Sequence, residues 1–84
     1  MPEITRFYGI LIKMYFAGSE HNPPHVHAIY GEYMGEFEIR TGRMMRGDLP
    51  GKAALLVQEW MSKYAVQLSD MWETQQIGKL PPLE

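Results

Sequence analysis

Residues 25–39, which read His-Val-His-Ala-Ile-Tyr-Gly-Glu-Tyr-Met-Gly-Glu-Phe-Glu-Ile, decide the fold of this chain. Two runs rich in β-branched and aromatic residues flank the dipeptide Gly31-Glu32. A two-residue loop with glycine first is typical of a type II′ hairpin turn. The segment therefore predicts a β-hairpin with strands at residues 25–30 and 33–39, in which Tyr30 faces Tyr33.

The predicted turn also sets which side chains share a face of the sheet. Counting outward from it, His27 lies opposite Glu36 and His25 lies opposite Glu38, and all four side chains leave the same face. The other face is apolar and is the expected core side, where a helix would pack. It carries Val26, Ala28, Tyr30, Tyr33, Phe37 and Ile39.

Two imidazoles beside two carboxylates have three interpretations. The group can ligate zinc or another divalent metal. It can transfer protons, because a carboxylate orients a base of near-neutral pKa. It can also consist of simple cross-strand His–Glu pairs that only stabilise the sheet. The loop before the hairpin holds the third histidine, His21, which is a candidate third ligand, and Pro23-Pro24 stiffens the chain that leads to His25.

Further strands are expected on both sides of this hairpin. Residues 7–16 are aromatic and β-branched and predict one strand, within which Gly9 marks a bulge. Breakers make residues 17–24 a loop. Thr41-Gly42 is a second turn, and residues 43–46 form a short fourth strand.

Three arginines follow the hairpin at Arg40, Arg43 and Arg46. They are candidates for contact with a protein partner or a phosphate group. The alternative is a solvated edge strand whose charges discourage pairing with another sheet.

After Gly47 the apolar period changes from two to 3.6 residues, which indicates a helix. Asp48 is the expected N-cap and Pro50 falls in the first turn. We expect one long amphipathic helix over about residues 50–76, ended by Gly78 and followed by a flexible tail at residues 78–84. The apolar stripe consists of Val57, Trp60, Met61, Tyr64, Leu68, Met71 and Trp72.

These elements predict a single α+β domain over residues 1–84. Residues 1–47 form a three- or four-stranded antiparallel sheet built from β-hairpins, and residues 48–77 form the C-terminal helix packed on one face. At ~1.5 Å per residue that helix is longer than the sheet. A kink near Ser62 or a partner covering the overhang would resolve the mismatch, so a homodimer or a protein partner is expected.

Composition excludes several classes of protein. The chain has 84 residues, a net charge of −2 and no cysteine. Bulk electrostatic attraction to nucleic acid or to an anionic membrane is therefore not expected, and neither is a disulfide scaffold or a thiolate metal site. The first residues lack the basic start and apolar run of a signal peptide, no apolar run is long enough to span a membrane, and the cytoplasm is the expected location.

Several segments resemble a small bacterial family, domain of unknown function 4160. They are Met1-Pro2-Glu3-Ile4, Arg6-Phe7-Tyr8-Gly9-Ile10, Lys13-Met14-Tyr15-Phe16, His21-Asn22-Pro23-Pro24-His25-Val26-His27, Tyr30-Gly31-Glu32-Tyr33, Gly47-Asp48-Leu49-Pro50 and Glu59-Trp60. The resemblance implies a short bacterial protein whose gene often lies beside one for domain of unknown function 2442, in a pair proposed to act like a toxin–antitoxin system. It implies no catalytic residue and no cofactor.

Two hypotheses about function follow. In the first, the chain is an interaction component of a two-protein, toxin–antitoxin-like module and binds the product of a neighbouring gene. In the second, it is a metal-binding protein or a metal-dependent phosphoester hydrolase that uses His25, His27, Glu36 and Glu38. The sequence leaves open whether the protein is an enzyme.

Overall fold

A computed structural model describes residues 3–14 and 23–84. It contains one five-stranded antiparallel sheet in the order β1-β2-β3-β4-β5, followed by two helices. The strands are β1 (Glu3–Phe7), β2 (Ile10–Lys13), β3 (His25–Tyr30), β4 (Tyr33–Glu38) and β5 (Met44–Asp48), and the helices are α1 (Gly51–Lys63) and α2 (Ala65–Thr74). The α+β class is confirmed, whereas the predicted three or four strands and single long helix are corrected to five strands and two helices.

The central hairpin has the predicted register. Tyr30 pairs with Tyr33, His27 pairs with Glu36 and His25 pairs with Glu38. Gly31 has a φ of +60°, which a residue without a Cβ adopts at little cost and which a type II′ turn requires at its first central position. The local turn chemistry therefore sets the pairing of β3 and β4.

The predicted strand over residues 7–16 is wrong, because a tight turn divides it. Tyr8 has a φ of +50° and Gly9 has a φ of +81°. Two consecutive positive φ values form a type I′ turn, which joins β1 to β2, so Gly9 marks a turn rather than a bulge. A tyrosine at positive φ is uncommon, which is why the apolar run reads as one continuous strand. The end of the predicted strand, residues 15–16, lies outside the described residues, as does most of the predicted loop.

The expected N-cap at Asp48 is also wrong. Asp48 is the last residue of β5, which extends two residues beyond the strand predicted at residues 43–46. The pairing of β5 with β4 contains one irregularity in register. Helix α1 begins at Gly51, and Pro50 occupies the capping position without a side-chain hydrogen bond. Proline at this point has no N–H to satisfy and its φ suits a helix start, so the helix begins without a polar cap.

The long helix is interrupted at Tyr64, whose φ of −121° and ψ of 24° are not helical. The Tyr64 N–H donates to the Met61 carbonyl at 3.2 Å, and α2 then restarts with the Leu68 N–H bonded to the Tyr64 carbonyl at 2.9 Å. After the break, α2 buries Leu68 in the same core as Trp60. A kink near Ser62 was one of the two expected solutions to the mismatch in length, and the break at Tyr64 lies two residues from it. Helix α2 ends at Thr74, before the expected stop at Gly78.

Residues 78–84, predicted as a flexible tail, are tied to the core. The Leu80 N–H donates to the Ile4 carbonyl at 3.1 Å, and the Trp60 indole N–H donates to the Pro81 carbonyl at 2.8 Å. Leu83 is buried. These contacts hold the tail beside β1 and under α1, because the indole needs an acceptor once its ring is fully buried.

The core lies between the helices and one face of the sheet. On the predicted core face, Tyr30 and Tyr33 are instead exposed beside the turn, at 38% and 45%. The side chains that fill the core include Ile4, Ile10, Ile12, Met14, Val26, Ala28, Phe37, Ile39, Val57, Trp60, Met61 and Leu68. The opposite face is called the outer face below, and it carries the predicted site.

Candidate metal centre

His25 and His27 of β3 and Glu36 of β4 form a cluster on the outer face. One potential ligand atom from each side chain lies within 4.8 Å of the other two. His25 Nε2 is 3.6 Å from Glu36 Oε1, and the two imidazole centroids are 5.2 Å apart. The alternation of side chains along β3 and the register with β4 bring these three groups together.

Two contacts hold His25 in place. Its Nδ1 is 2.9 Å from the carbonyl oxygen of Pro23. Since a carbonyl only accepts, Nδ1 carries the proton, and in the neutral ring Nε2 then presents its lone pair toward Glu36. On the other side, the Trp72 ring of α2 packs against the imidazole with centroids 5.4 Å apart. The His25 side chain is only 8% exposed, so its orientation is set by these neighbours.

The pKa of His27 is lowered from its ordinary value of 6.5. Burial is the largest cause, since desolvation disfavours the charged ring, and the nearby His25 acts in the same direction. The Glu36 carboxylate acts in the opposite direction and does not prevail. A carboxylate neighbour by itself raises a histidine pKa, but partial burial of the His27 ring outweighs that effect. A neutral imidazole is the form that binds a metal.

Glu38 does not join the cluster. Glu38 stands opposite His25 in register, but its carboxylate accepts a hydrogen bond of 2.9 Å from the Thr41 hydroxyl instead. Glu36, which reaches His25 diagonally, takes the place that the sequence assigned to Glu38. His21 lies outside the described residues.

The three arginines do not form a single patch. Arg46 is the direct partner of Glu36 across β4 and β5 and so shares the outer face with the cluster. Arg40 and Arg43 lie exposed at the β4–β5 turn, where Arg40 lines a cavity of about 360 Å³ with residues of α1. Arg46 is therefore the one of the three placed beside the candidate ligands.

Sequence reasoning missed two neighbours of the cluster. Trp72 was assigned to the core stripe of the helix; it packs against the core, and its ring also lies on His25. Lys13 is the direct partner of His27 on the β2 side. Its position depends on how β2 pairs with β3 across a long loop, and no turn signal in the sequence sets that register.

The family model called Domain of unknown function (DUF4160) matches residues 9–73. The chain belongs to this family. The matched segment includes all three residues of the cluster, and the resemblance noted from the sequence is confirmed. No curated protein and no solved structure matches the chain.

Within the described residues, neither helix is long and apolar enough to cross a membrane.

Proposed function

We propose that this DUF4160 protein binds a divalent transition metal through His25, His27 and Glu36. The observation that carries the proposal is the convergence of two imidazole nitrogens and a carboxylate oxygen within 4.8 Å. A metal ~2.1 Å from two donors in tetrahedral geometry holds them about 3.4 Å apart. The distance of 3.6 Å between His25 Nε2 and Glu36 Oε1 is close to this value.

The surroundings support ligation. The Pro23 carbonyl fixes the His25 tautomer, which is the usual way a second group orients a metal-bound imidazole. The lowered pKa of His27 keeps that ring neutral near pH 7. Two imidazoles and one carboxylate suit zinc and iron(II), and three protein ligands leave a coordination position for water or a substrate.

Metal binding to the folded chain tests the proposal directly. Zinc at one hundred times its dissociation constant should raise the free energy of unfolding by about 2.7 kcal/mol relative to the protein in chelator. His27→Ala and Glu36→Gln should each abolish that increase. Glu38→Gln is the matched control, because its carboxylate lies on the same strand and bonds to Thr41 instead. Equal responses to zinc in Glu36→Gln and Glu38→Gln, or no response in the parent, would contradict the proposal.

A second candidate is the interaction component of a two-protein, toxin–antitoxin-like module. In the part of the sheet that the structure describes, no strand pairs with the far side of β5, whereas the Leu80 N–H covers Ile4 at the β1 edge. An open edge can accept a strand from a partner or from a second copy. Co-expression with the product of the neighbouring gene, followed by light scattering, distinguishes a heteromer, a homodimer and a monomer; a monomer recovered alone would count against this role.

A further inference from the structure

The metal ligands lie in the middle of a row of charged side chains that crosses the sheet. Lys13 of β2 pairs with His27, His27 pairs with Glu36, and Glu36 pairs with Arg46 of β5. Directly paired residues on neighbouring strands point to the same face, and the strands are ~4.8 Å apart. A lysine and an arginine therefore flank the cluster on its two sides.

The charges in this row leave a positive excess once a metal is bound. A divalent ion with two neutral imidazoles and one carboxylate retains one positive charge, to which Lys13 and Arg46 each add another. Glu3 follows Lys13 at the end of the row, but its carboxylate is 3.0 Å from Arg6 and 3.9 Å from Lys79. Glu38 bonds to Thr41. Asp48, two residues after Arg46 on β5, lies on the same face and pairs with Met34, so its carboxylate offsets one of these charges and the excess stays positive.

We infer that the bound metal and the side chains of Lys13 and Arg46 together bind a phosphate group, either as inorganic phosphate or as a phosphate ester. The inference rests on the proposed metal site. One phosphate oxygen would bind the metal at its open coordination position, and the other oxygens would accept hydrogen bonds from Lys13 and Arg46. A carboxylate ligand has only two oxygens and a single charge, so it matches this three-point arrangement less well. Arginine and lysine are the usual phosphate-binding side chains, and their charge-assisted hydrogen bonds are the strong ones.

Cobalt(II) can test the metal site and the phosphate site separately. The full-length protein is loaded with cobalt, whose visible absorption reports its ligands, and inorganic phosphate is then titrated in. We expect the cobalt spectrum to change with saturation as phosphate enters the coordination sphere. In the Lys13→Gln/Arg46→Gln double variant cobalt should still bind, while phosphate affinity should fall by about tenfold or more, the loss expected for one to two charge-assisted contacts.

The matched control is the Arg40→Gln/Arg43→Gln double variant, which has the same change in charge at exposed positions outside the row and should bind phosphate like the parent. Each single variant, Lys13→Gln and Arg46→Gln, is measured as well, so the test survives if the double variant fails to fold. Failure of cobalt to bind overturns the metal site itself. Cobalt binding without a phosphate response overturns only the phosphate inference, and so does equal loss of phosphate affinity in both double variants.

Discussion

At the scale of single residues, the cluster depends on which neighbour each polar side chain selects. His25 and His27 have equivalent places in the strand pattern, and the Pro23 carbonyl and the Trp72 ring hold His25 in its orientation. Glu36 and Glu38 lie on the same face of β4, and of the two only Glu36 belongs to the cluster. Side chains of the same type in the same strand thus have different roles because different elements pack against them.

The lowered pKa of His27 predicts how stability depends on pH in the metal-free protein. The unfolded ring titrates near 6.5 and the folded ring titrates lower. Protonation therefore favours the unfolded state, so the contribution of His27 to the free energy of unfolding is present above pH 6.5 and is lost as pH falls through the window below it. Denaturant melts in chelator between about pH 5 and 8 should show a free energy of unfolding that increases with pH.

Subtracting the same curve for His27→Gln isolates the residue, since His25, Glu36 and Lys13 around it are unchanged. Stability that falls with pH in the difference curve would contradict the lowered pKa. Metal ligation also strengthens as pH rises, because it requires the neutral ring. Deprotonation of His27 and metal ligation both make stability rise with pH, so the sign of that dependence does not show whether a metal is bound. Melting the same protein with and without chelator does show it.

At the scale of secondary-structure elements, tight turns and one helix break decide the architecture. Gly31-Glu32 is a turn that the sequence shows directly, whereas Tyr8-Gly9 is hidden inside an apolar run. The break at Tyr64 is equally hidden, because the apolar stripe continues through it. In both places a tyrosine has a backbone conformation that its local sequence does not favour: Tyr8 has a positive φ, and Tyr64 is non-helical within a helical pattern.

The turn at Tyr8 predicts a stabilising substitution. Tyr8 has a φ of +50° and its side chain is exposed, so it bears the cost of a left-handed conformation without a buried side chain to offset it. Asn-Gly is the preferred type I′ dipeptide, and Tyr8→Asn should raise the free energy of unfolding by about 0.5–1 kcal/mol.

Gly9→Ala at the next position should lower the free energy of unfolding. Its φ is +81°, and a Cβ there would meet the Tyr30 ring at 3.3 Å. Thermal melting of both variants beside the parent checks the pair of expectations. A Tyr8→Asn protein less stable than the parent, or a Gly9→Ala protein as stable as the parent, would show that the turn is not of this type.

At the scale of the whole molecule, Trp60 of α1 connects the helical region to the sheet and to the C-terminal tail. Its fully buried ring packs on Phe7 of β1 with centroids 5.8 Å apart, and its indole N–H donates to Pro81 in the tail. Trp60→Ala should lower the free energy of unfolding by about 3–5 kcal/mol, which is a large fraction of the stability of so small a domain.

Trp60→Phe separates the two roles of this residue. It keeps most of the apolar ring but leaves the Pro81 carbonyl without its donor, so the loss should be smaller than for alanine. Leu55→Ala in the same helix is the control, because Leu55 is 68% exposed and should change stability little. Equal losses for Trp60→Ala and Leu55→Ala would contradict the assignment of Trp60 to the core.

The sequence by itself determined whatever depends on neighbours along the chain. The Gly31-Glu32 turn set the register of β3 and β4, and that register places His25, His27 and Glu36 on one face. The periodic apolar stripe likewise indicated the helical region and its buried side chains, because hydrophobic burial follows local periodicity.

The tertiary structure decided what depends on contacts between distant segments. The Tyr8-Gly9 turn, the break at Tyr64 and the tail against Trp60 each pack residues far apart in sequence, and their conformations are favoured only once the core has formed. The same packing turns Trp72 onto His25 and places Lys13 beside His27. Local propensities are weak compared with the burial of a shared core, so the chain positions these groups through the fold as a whole.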